Sequence, residues 1–382
     1  MESYLMSKPD VWIAADCIIS PLGSTTQENY QNIKLGKTGI SLIQNSNFSA
    51  VDVYAGLIGS NVALEPLPDH TRFESISILS VKNALRQTQL DPSSDKTVFI
   101  LSTTKGNIEL LEKGNTQSIS LHESAKSIAK YFGNDQLPLV VSNACVSGVM
   151  AILVAKRLLQ TGRYDHAVVT GADVLTKFVL SGFQSLQAIS SERCKPFDAK
   201  RKGVNLGEAA ATVVLSINPE SIGAQKKIKI LGGGLSNDAN HISGPSRTGE
   251  ELAMAIVVAL KDSGMTKDDI DFISAHGTAT VYNDEMEAKA FNHAGLANTP
   301  LNSLKGYFGH TLGAAGVVET IVSMQALLND ELVPTFGFQS LGVSQPVDVI
   351  QEFQSKKITT CLKTASGFGG CNAAIVLNKI PV

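Results

Sequence analysis

Two stretches of this chain pass through the same succession of residue types, and that parallel constrains the fold more than any other feature. "LPLVVSNACVSGVMAILVAKRLL" and "TPLNSLKGYFGHTLGAAGVVETIVSMQALL" each run from a proline through an extended segment and a small-residue loop into a helix. Further on, "LGEAAATVVLSI" and "FGGCNAAIVLNKI" each run from glycine through small residues into an apolar strand. Both pairs occur in the same order, which implies two similarly built halves. The division falls near 218–226, giving halves of 1–222 and 223–382. Strand-like runs at 98–102, 139–142, 167–170, 211–217, 228–231, 272–274 and 373–377 alternate with helical periodicity over 75–87, 149–160, 250–262 and 314–328. Alternation of this kind belongs to layered α/β architecture. Pseudo-symmetry between the halves then brings the two small-residue loops together, and with them Cys145 and His310.

Cys145 lies between a β-branched run and a helix that opens around Ser147-Gly148. Unpaired N–H groups and the positive end of the helix dipole gather at such a position and favour thiolate over thiol. A nucleophile is therefore expected there, with an inert buried cysteine as the plain alternative. Two histidines stand in comparable small-residue loops: His276 in "ISAHGTATVYNDEMEAKA" and His310 in "NSLKGYFGHTLGAAG". In "TASGFGGCNAA" three glycines let the backbone approach a ligand and direct N–H groups at it. Together these loops point to a thiol active site.

Composition sets the frame around that site. The chain has 382 residues, 43% hydrophobic and 18% charged, with 32 glycines, which suits a compact α/β protein with an ample core. A formal net charge of −3 makes no general case for nucleic-acid or membrane binding. Five scattered cysteines without CxxC spacing suggest neither a disulfide framework nor a zinc site, and so a reducing compartment. The opening MESYLMSKPD lacks the layout of a signal peptide, and no run offers the about 20 uninterrupted apolar residues of a membrane span. A cytoplasmic protein is expected.

The four loops, with "KPFDAKRKGVNLGEAAATVVL" and "CIISPLGSTTQENYQNIKLGKTGISLI", resemble the β-ketoacyl-[acyl-carrier-protein] synthases, the condensing enzymes of fatty-acid and polyketide synthesis, in the branch with a Cys-His-His triad. ACxSG, HGTxT, KxxxGHxxGAAG and GFGG occur here in that order across nearly the whole chain. The resemblance implies the thiolase-like fold, two βαβαβαββ halves in a five-layered αβαβα unit, normally a homodimer, with a heterodimer with another ketosynthase also open. It implies that Cys145 takes an acyl group from a carrier-protein or coenzyme A thioester and that its N–H and that of Phe368 form an oxyanion hole. His276 and His310 would hydrogen-bond the enolate formed when malonyl-carrier protein loses carbon dioxide. Lys305 would order the histidines with Glu319 as its partner, Thr278 and Thr280 would hold the phosphopantetheine arm, and Phe368 would gate acyl from malonyl binding. No metal or redox cofactor is implied; the arm arrives on the acyl carrier protein.

The chain also departs from its relatives. The segment between "STTKGNIELL" and Cys145 is short, and the Lys/Arg cluster that meets the acidic carrier is reduced to Arg72, so Lys200, Arg201 and Lys202 are expected to take over docking. Ser366 replaces an aromatic before the gate and Cys371 a threonine, which suggests a specialised synthase. Two rivals are a degradative thiolase, with Cys371 as a second catalytic cysteine, and a non-catalytic partner resembling the chain-length factors. Intact Cys145, His276, His310 and Lys305 argue against the latter.

Overall fold

Strands that must be covered on both sides carry apolar residues at successive positions rather than alternate ones, and most of the apolar runs become such strands. The computed structural model describes residues 8–380 apart from 46–47, 60–61, 63, 66, 115–118, 226 and 241. Along the chain, the strands of the main sheet are β1 Trp12–Ile19, β2 Thr97–Ser102, β3 Leu139–Val141, β4 His166–Asp173, β5 Ala209–Ser216, β6 Ile228–Asn237, β7 Phe272–Ser274, β8 Leu301–Asn302, β9 Thr360–Gly367 and β10 Cys371–Lys379. The longer helices are α1 Thr26–Lys34, α2 Arg72–Leu85, α3 Leu121–Tyr131, α4 Ser147–Gln160, α5 Lys177–Ser185, α6 Glu250–Ser263, α7 Val281–His293 and α8 Ala315–Asn329.

The strand order makes the internal repeat explicit. Hydrogen bonding connects β8-β7-β9-β10-β6-β1-β5-β4-β2-β3. Counted from the centre, each half runs first, fifth, fourth, second, third strand. The pairing senses match as well: β1/β5 and β5/β4 are antiparallel and β4/β2 and β2/β3 parallel, while β6/β10 and β10/β9 are antiparallel and β9/β7 and β7/β8 parallel. The halves meet where Trp12 and Ile13 of β1 pair with Lys229 and Ile228 of β6.

Side-chain alternation then builds the layers. Ala209, Ala211, Val213 and Leu215 of β5 join the central core, whereas Ala210 and Val214 face an outer core under α2 and α3. On β10, Ala373, Ile375 and Leu377 face the centre, and Ala374 and Val376 face the outer layer of α6 and α7. Between the two strand sets α4 and α8 pack on each other, and α8 touches both β5 and β9. The result is the five-layered α/β arrangement of the thiolase-like fold. Leu312–Asn329, apolar and long enough to cross a membrane, is 83% buried as this central helix.

The glycines of the two matching motifs explain the close approach of α4 and α8. A Cβ on Gly148 would lie 2.8 Å from Gly316 Cα, and one on Gly316 would lie 2.4 Å from Val149 N. Three strands of the main sheet break the pattern that marks the others. β8 has two residues, β1 carries Asp16 within an otherwise apolar run, and β9 mixes Lys363 and hydroxyl residues with its apolar ones. In the shortened segment before Cys145, residues 115–118 lie outside the described residues, and α3 is the one longer helix of the remainder.

Candidate active site

Each chemically important side chain sits on a loop that follows a strand of the main sheet. After β3 the chain turns sharply at Ala144, whose φ of 44° is a left-handed conformation, and presents Cys145 two residues before α4. Ser147 Oγ pins the turn, donating to Ala144 O at 2.6 Å and accepting from Asn143 N–H at 2.7 Å. After β7, Glu287 accepts the N–H groups of His276 and Gly277 at 2.8 and 2.6 Å, and Asp284 accepts those of Thr278 and Ala279 at 3.0 and 3.2 Å. Burial pushes these carboxyls up, Glu287 to about 7 and Asp284 to about 6. After β8, His310 is fixed by its N–H bond to Asn205 O at 2.7 Å.

The three reactive side chains converge. Cys145 sulfur and the ligand nitrogens of His276 and His310 lie within 4.8 Å of one another, with the imidazole rings 5.1 Å apart and nearly perpendicular. Leu312 N–H donates to His310 Nδ1 at 3.2 Å, so a neutral ring carries its proton on Nε2, which is buried and has no partner among the described residues. Lys305 Nζ lies 3.4 Å from His276 Nδ1 and donates to His276 O at 2.7 Å, which favours the same tautomer. Burial first, then the charge of Lys305, holds both imidazoles well below their ordinary value. Both rings are therefore neutral hydrogen-bond donors.

The expected thiolate is corrected by the structure. Cys145 stands at the helix start as anticipated, and Lys305, Lys105 and the Phe368 backbone pull its pKa down. Desolvation is the larger effect and pushes the thiol up to about 11. The resting cysteine is thus protonated near neutral pH. The sulfur and the two imidazoles also form a donor set that could hold a soft divalent ion, a grouping invisible to sequence spacing because three separate loops supply it. The positive charges of Lys305, Lys105 and Lys363 beside the histidines oppose such an ion.

Lys305 and Glu319 are buried and paired at 2.5 Å. Thr278 and Thr280, their hydroxyls 2.8 Å apart, line a cavity of about 260 Å³ that also contains Cys145, His276, His310 and Phe368. Gly367 packs so closely that a Cβ would lie 3.0 Å from Cys145 N, bringing the loop that carries Phe368 against the nucleophile. The Phe368 ring is 37% exposed and stacks on Phe183 at 5.8 Å. Cys371 lies outside this cavity and donates to Asn143 and Asn237 side chains at 3.0 Å, an arrangement with no place for a second catalytic thiol.

Two of the cations expected to dock a carrier are otherwise engaged. Arg72 Nη2 is 2.6 Å from buried Glu208 and 2.8 Å from Ile58 O. The Arg201 side chain is only 6% exposed, donating to Gly342 O at 2.5 Å and facing Asp284 at 3.9 Å. Both hold loops together, because a guanidinium fork can satisfy several carbonyl and carboxylate oxygens at once. Lys200 is exposed, and Lys202, 60% exposed, lines the cavity while pairing with Glu192 at 2.8 Å.

Sequence reasoning missed Lys363 and Asp173. Lys363, fully buried on β9, lies 2.7 Å from the second oxygen of Glu319 and donates to Thr364 O at 2.6 Å. Its neighbours, among them Thr360, Thr364 and Ser366, form no apolar run, so the sequence offered no signal for it. Asp173, at the end of β4, accepts Thr103 Oγ1 at 2.9 Å, Thr104 N–H at 3.0 Å, Lys105 N–H at 3.2 Å and Gly313 N–H at 2.7 Å. It ties the two halves together beside the nucleophile.

A buried thiol beside two neutral imidazole donors, on this doubled α/β scaffold, is equipped to hold an acyl group and stabilise an oxyanion. Residues 8–220 match the family described as "Beta-ketoacyl synthase, N-terminal domain", and 228–339 the corresponding C-terminal domain. The 3-oxoacyl-[acyl-carrier-protein] synthase 2 of Vibrio cholerae is 27% identical over a 420-residue alignment spanning 98% of this chain and 100% of the relative. That of Rhizobium meliloti is 35% identical over 63% of this chain and 60% of its own. Among solved structures, the ketosynthase ApeO in complex with its chain length factor ApeC, from Xenorhabdus doucetiae, superposes with a TM-score of 0.88 at 26% identity, covering 100% of both chains. The chain belongs to the β-ketoacyl synthase family. It is a condensing acyltransferase of the kind used in fatty-acid and polyketide synthesis.

Proposed function

We propose that this chain joins an acyl group held on Cys145 to malonyl-acyl carrier protein, releasing carbon dioxide and giving a β-ketoacyl-carrier protein. Cys145 sulfur attacks the incoming thioester carbonyl, the carrier thiol leaves, and the cysteine proton ends on that leaving sulfur. N–H groups of Cys145 and Phe368 stabilise the tetrahedral oxyanion. In the second half-reaction the malonyl carboxylate departs as carbon dioxide, and its bonding electrons form an enolate whose oxygen accepts from Nε2 of His276 and His310. The enolate carbon then attacks the acyl thioester, and Cys145 sulfur leaves as a thiolate that takes a proton from water to restore the resting thiol.

The observation that carries this reading is Nε2 of His310, without a partner among the described residues and buried in the cavity that holds the thiol, while its Nδ1 is occupied by Leu312 N–H. An imidazole held this way donates and does not serve as a base, which suits enolate stabilisation. Thr278 and Thr280 hold the phosphopantetheine arm, which the carrier brings, and Lys305 and Glu319 orient the histidines. No metal or redox cofactor enters the scheme. The protein acts in the cytoplasm as a homodimer or paired with another ketosynthase; the edge position of β3 and the exposed Leu137 beside it support a protein contact there.

Intact-protein mass after incubation with an acyl thioester tests the reading. An acyl adduct that is absent from Cys145→Ala and is discharged by malonyl-carrier protein is the expected result. A chain that never gains the adduct is the non-catalytic partner instead.

A further inference from the structure

Phe368 borders a second space. Together with Phe183 and Leu186, which it shares with the first cavity, it lines a wider groove of about 810 Å³. The groove adjoins the cavity around Cys145 across these three shared side chains, and its walls are largely apolar, with Phe178 and Leu186 about half exposed along it. Such a surface suits the hydrocarbon part of an acyl chain. Lys105 is the exception.

Lys105 is half-buried on the wall of the groove. Its Nζ makes one hydrogen bond, to Thr104 Oγ1 at 3.1 Å, and no ion pair among the described residues. The backbone gives it little freedom to leave, because Asp173 accepts the N–H groups of both Thr104 and Lys105. Asp173 also accepts Gly313 N–H, three residues after His310, which places the Lys105 loop beside the reacting centre, and the charge of Lys105 is felt by Asp173, Cys145 and His310. Two other charged residues border the groove. Glu112 accepts the Phe178 N–H at 2.9 Å, and Lys177 is exposed at the start of α5.

An ammonium pressed against a saturated chain loses water and gains no partner. A carbonyl or carboxylate oxygen on the acyl group would restore a charge-assisted hydrogen bond. We propose that Lys105 selects the acyl group transferred to Cys145, favouring chains that carry a carbonyl or carboxylate oxygen close to the thioester over plain hydrocarbon chains. The proposal rests on Cys145 being the acylated residue. Lys105 thereby determines specificity without taking part in bond breaking.

Three four-carbon coenzyme A thioesters that differ in oxygen content test this: butyryl, acetoacetyl and succinyl. The rate of adduct formation on the full-length protein is read by intact mass. Wild type should load acetoacetyl or succinyl at least about tenfold faster than butyryl, the size of one hydrogen bond to a charged group. Acetoacetyl alone would assign a keto group and succinyl alone a terminal carboxylate, and either supports the proposal. Lys105→Met should abolish the preference, and Lys105→Arg should keep most of it. Loss of the lysine charge also makes the thiol less acidic, but this slows every donor alike, so the ratio between donors is the readout. A wild-type preference for butyryl, or an unchanged ratio in Lys105→Met, overturns the proposal and leaves the acyl-enzyme reading intact. Absence of any adduct from all three donors and from acyl-carrier protein overturns both.

Discussion

Lys363 Nζ lies 2.7 Å from one oxygen of Glu319, whose other oxygen is held by Lys305 at 2.5 Å. Two fully buried lysines thus share one buried carboxylate; burial pulls the Lys363 pKa down, and both lysines contribute to the positive field that the histidines feel. That field and desolvation act in the same direction on an imidazole, and both favour the neutral form. Neutrality is what a hydrogen-bond donor with one free N–H requires here.

Lys363→Met should therefore have two effects. Removing one member of a buried ionic cluster should lower unfolding stability by about 3 kcal/mol in urea titration. Both imidazoles should also become easier to protonate, so the acid limb of the variant's condensation profile should lie at higher pH than that of wild type, by a modest margin because burial and Lys305 are the larger causes. A variant with the wild-type pH profile would assign Lys363 to packing alone.

His276→Ala and His310→Ala should each lose about 10² to 10³ in malonyl decarboxylation, the scale of removing one oxyanion donor, while keeping most of the acyl transfer to Cys145. Separate assays of carbon dioxide release and adduct mass make the distinction. Equal losses in both half-reactions would count against enolate stabilisation.

With the Cys145 thiol pushed up to about 11, its alkylation by iodoacetamide should quicken about tenfold per pH unit between pH 7 and 10. Cys17, Cys194 and Cys361 are buried and pushed up to about 12, so they should lag behind. Site-resolved mass spectrometry follows each cysteine, and a pH-independent rate at Cys145 would contradict the protonated resting state.

Carrier docking should depend on Lys200 and Lys202 without Arg201. Reversing the two lysines to Glu should slow transfer from acyl-carrier protein several-fold at low salt and leave transfer from acyl-coenzyme A nearly unchanged, since rim charges act chiefly on encounter. Arg201→Glu should instead destabilise the fold, because it places a second carboxylate against buried Asp284. A well-folded Arg201→Glu protein with a selective carrier defect would reverse this assignment.

Gly148→Ala should force α4 and α8 apart. Its Cβ would meet Gly316 Cα at 2.8 Å and Val317 N at 2.8 Å, backbone atoms that cannot swing aside. A loss of at least about 1–3 kcal/mol is expected, measured by thermal unfolding. Gly182→Ala, with nothing within 4 Å of the added methyl, is the comparison and should be nearly silent.

Residue type and order alone carried a good deal. The paired motifs implied two like halves, and the observed strand orders match position for position. Cys145, His276, His310, Lys305 and Glu319 were nominated from their motifs, and folding brings them together. The central helices and most strands were legible because a helix or strand is governed by neighbours a few positions away. Thr360, Lys363, Thr364 and Ser366 concealed β9, because polar groups in a doubly covered strand contradict the local rule until their partners are known.

The partners themselves were decided by tertiary structure. Arg201 and Lys202 are adjacent in the chain and identical in sign, yet the Arg201 side chain is 6% exposed and that of Lys202 is 60% exposed. The helix start at Cys145 favours thiolate, as read from the sequence, but burial outweighs it and leaves a thiol. Sequence by itself determined which chemical groups the chain has and which local element presents each one. Desolvation and charge pairing act through space, summed over segments such as β9, α8 and the 103–105 loop, so only the packed fold decided which groups are charged, which are paired and which are free to meet a substrate.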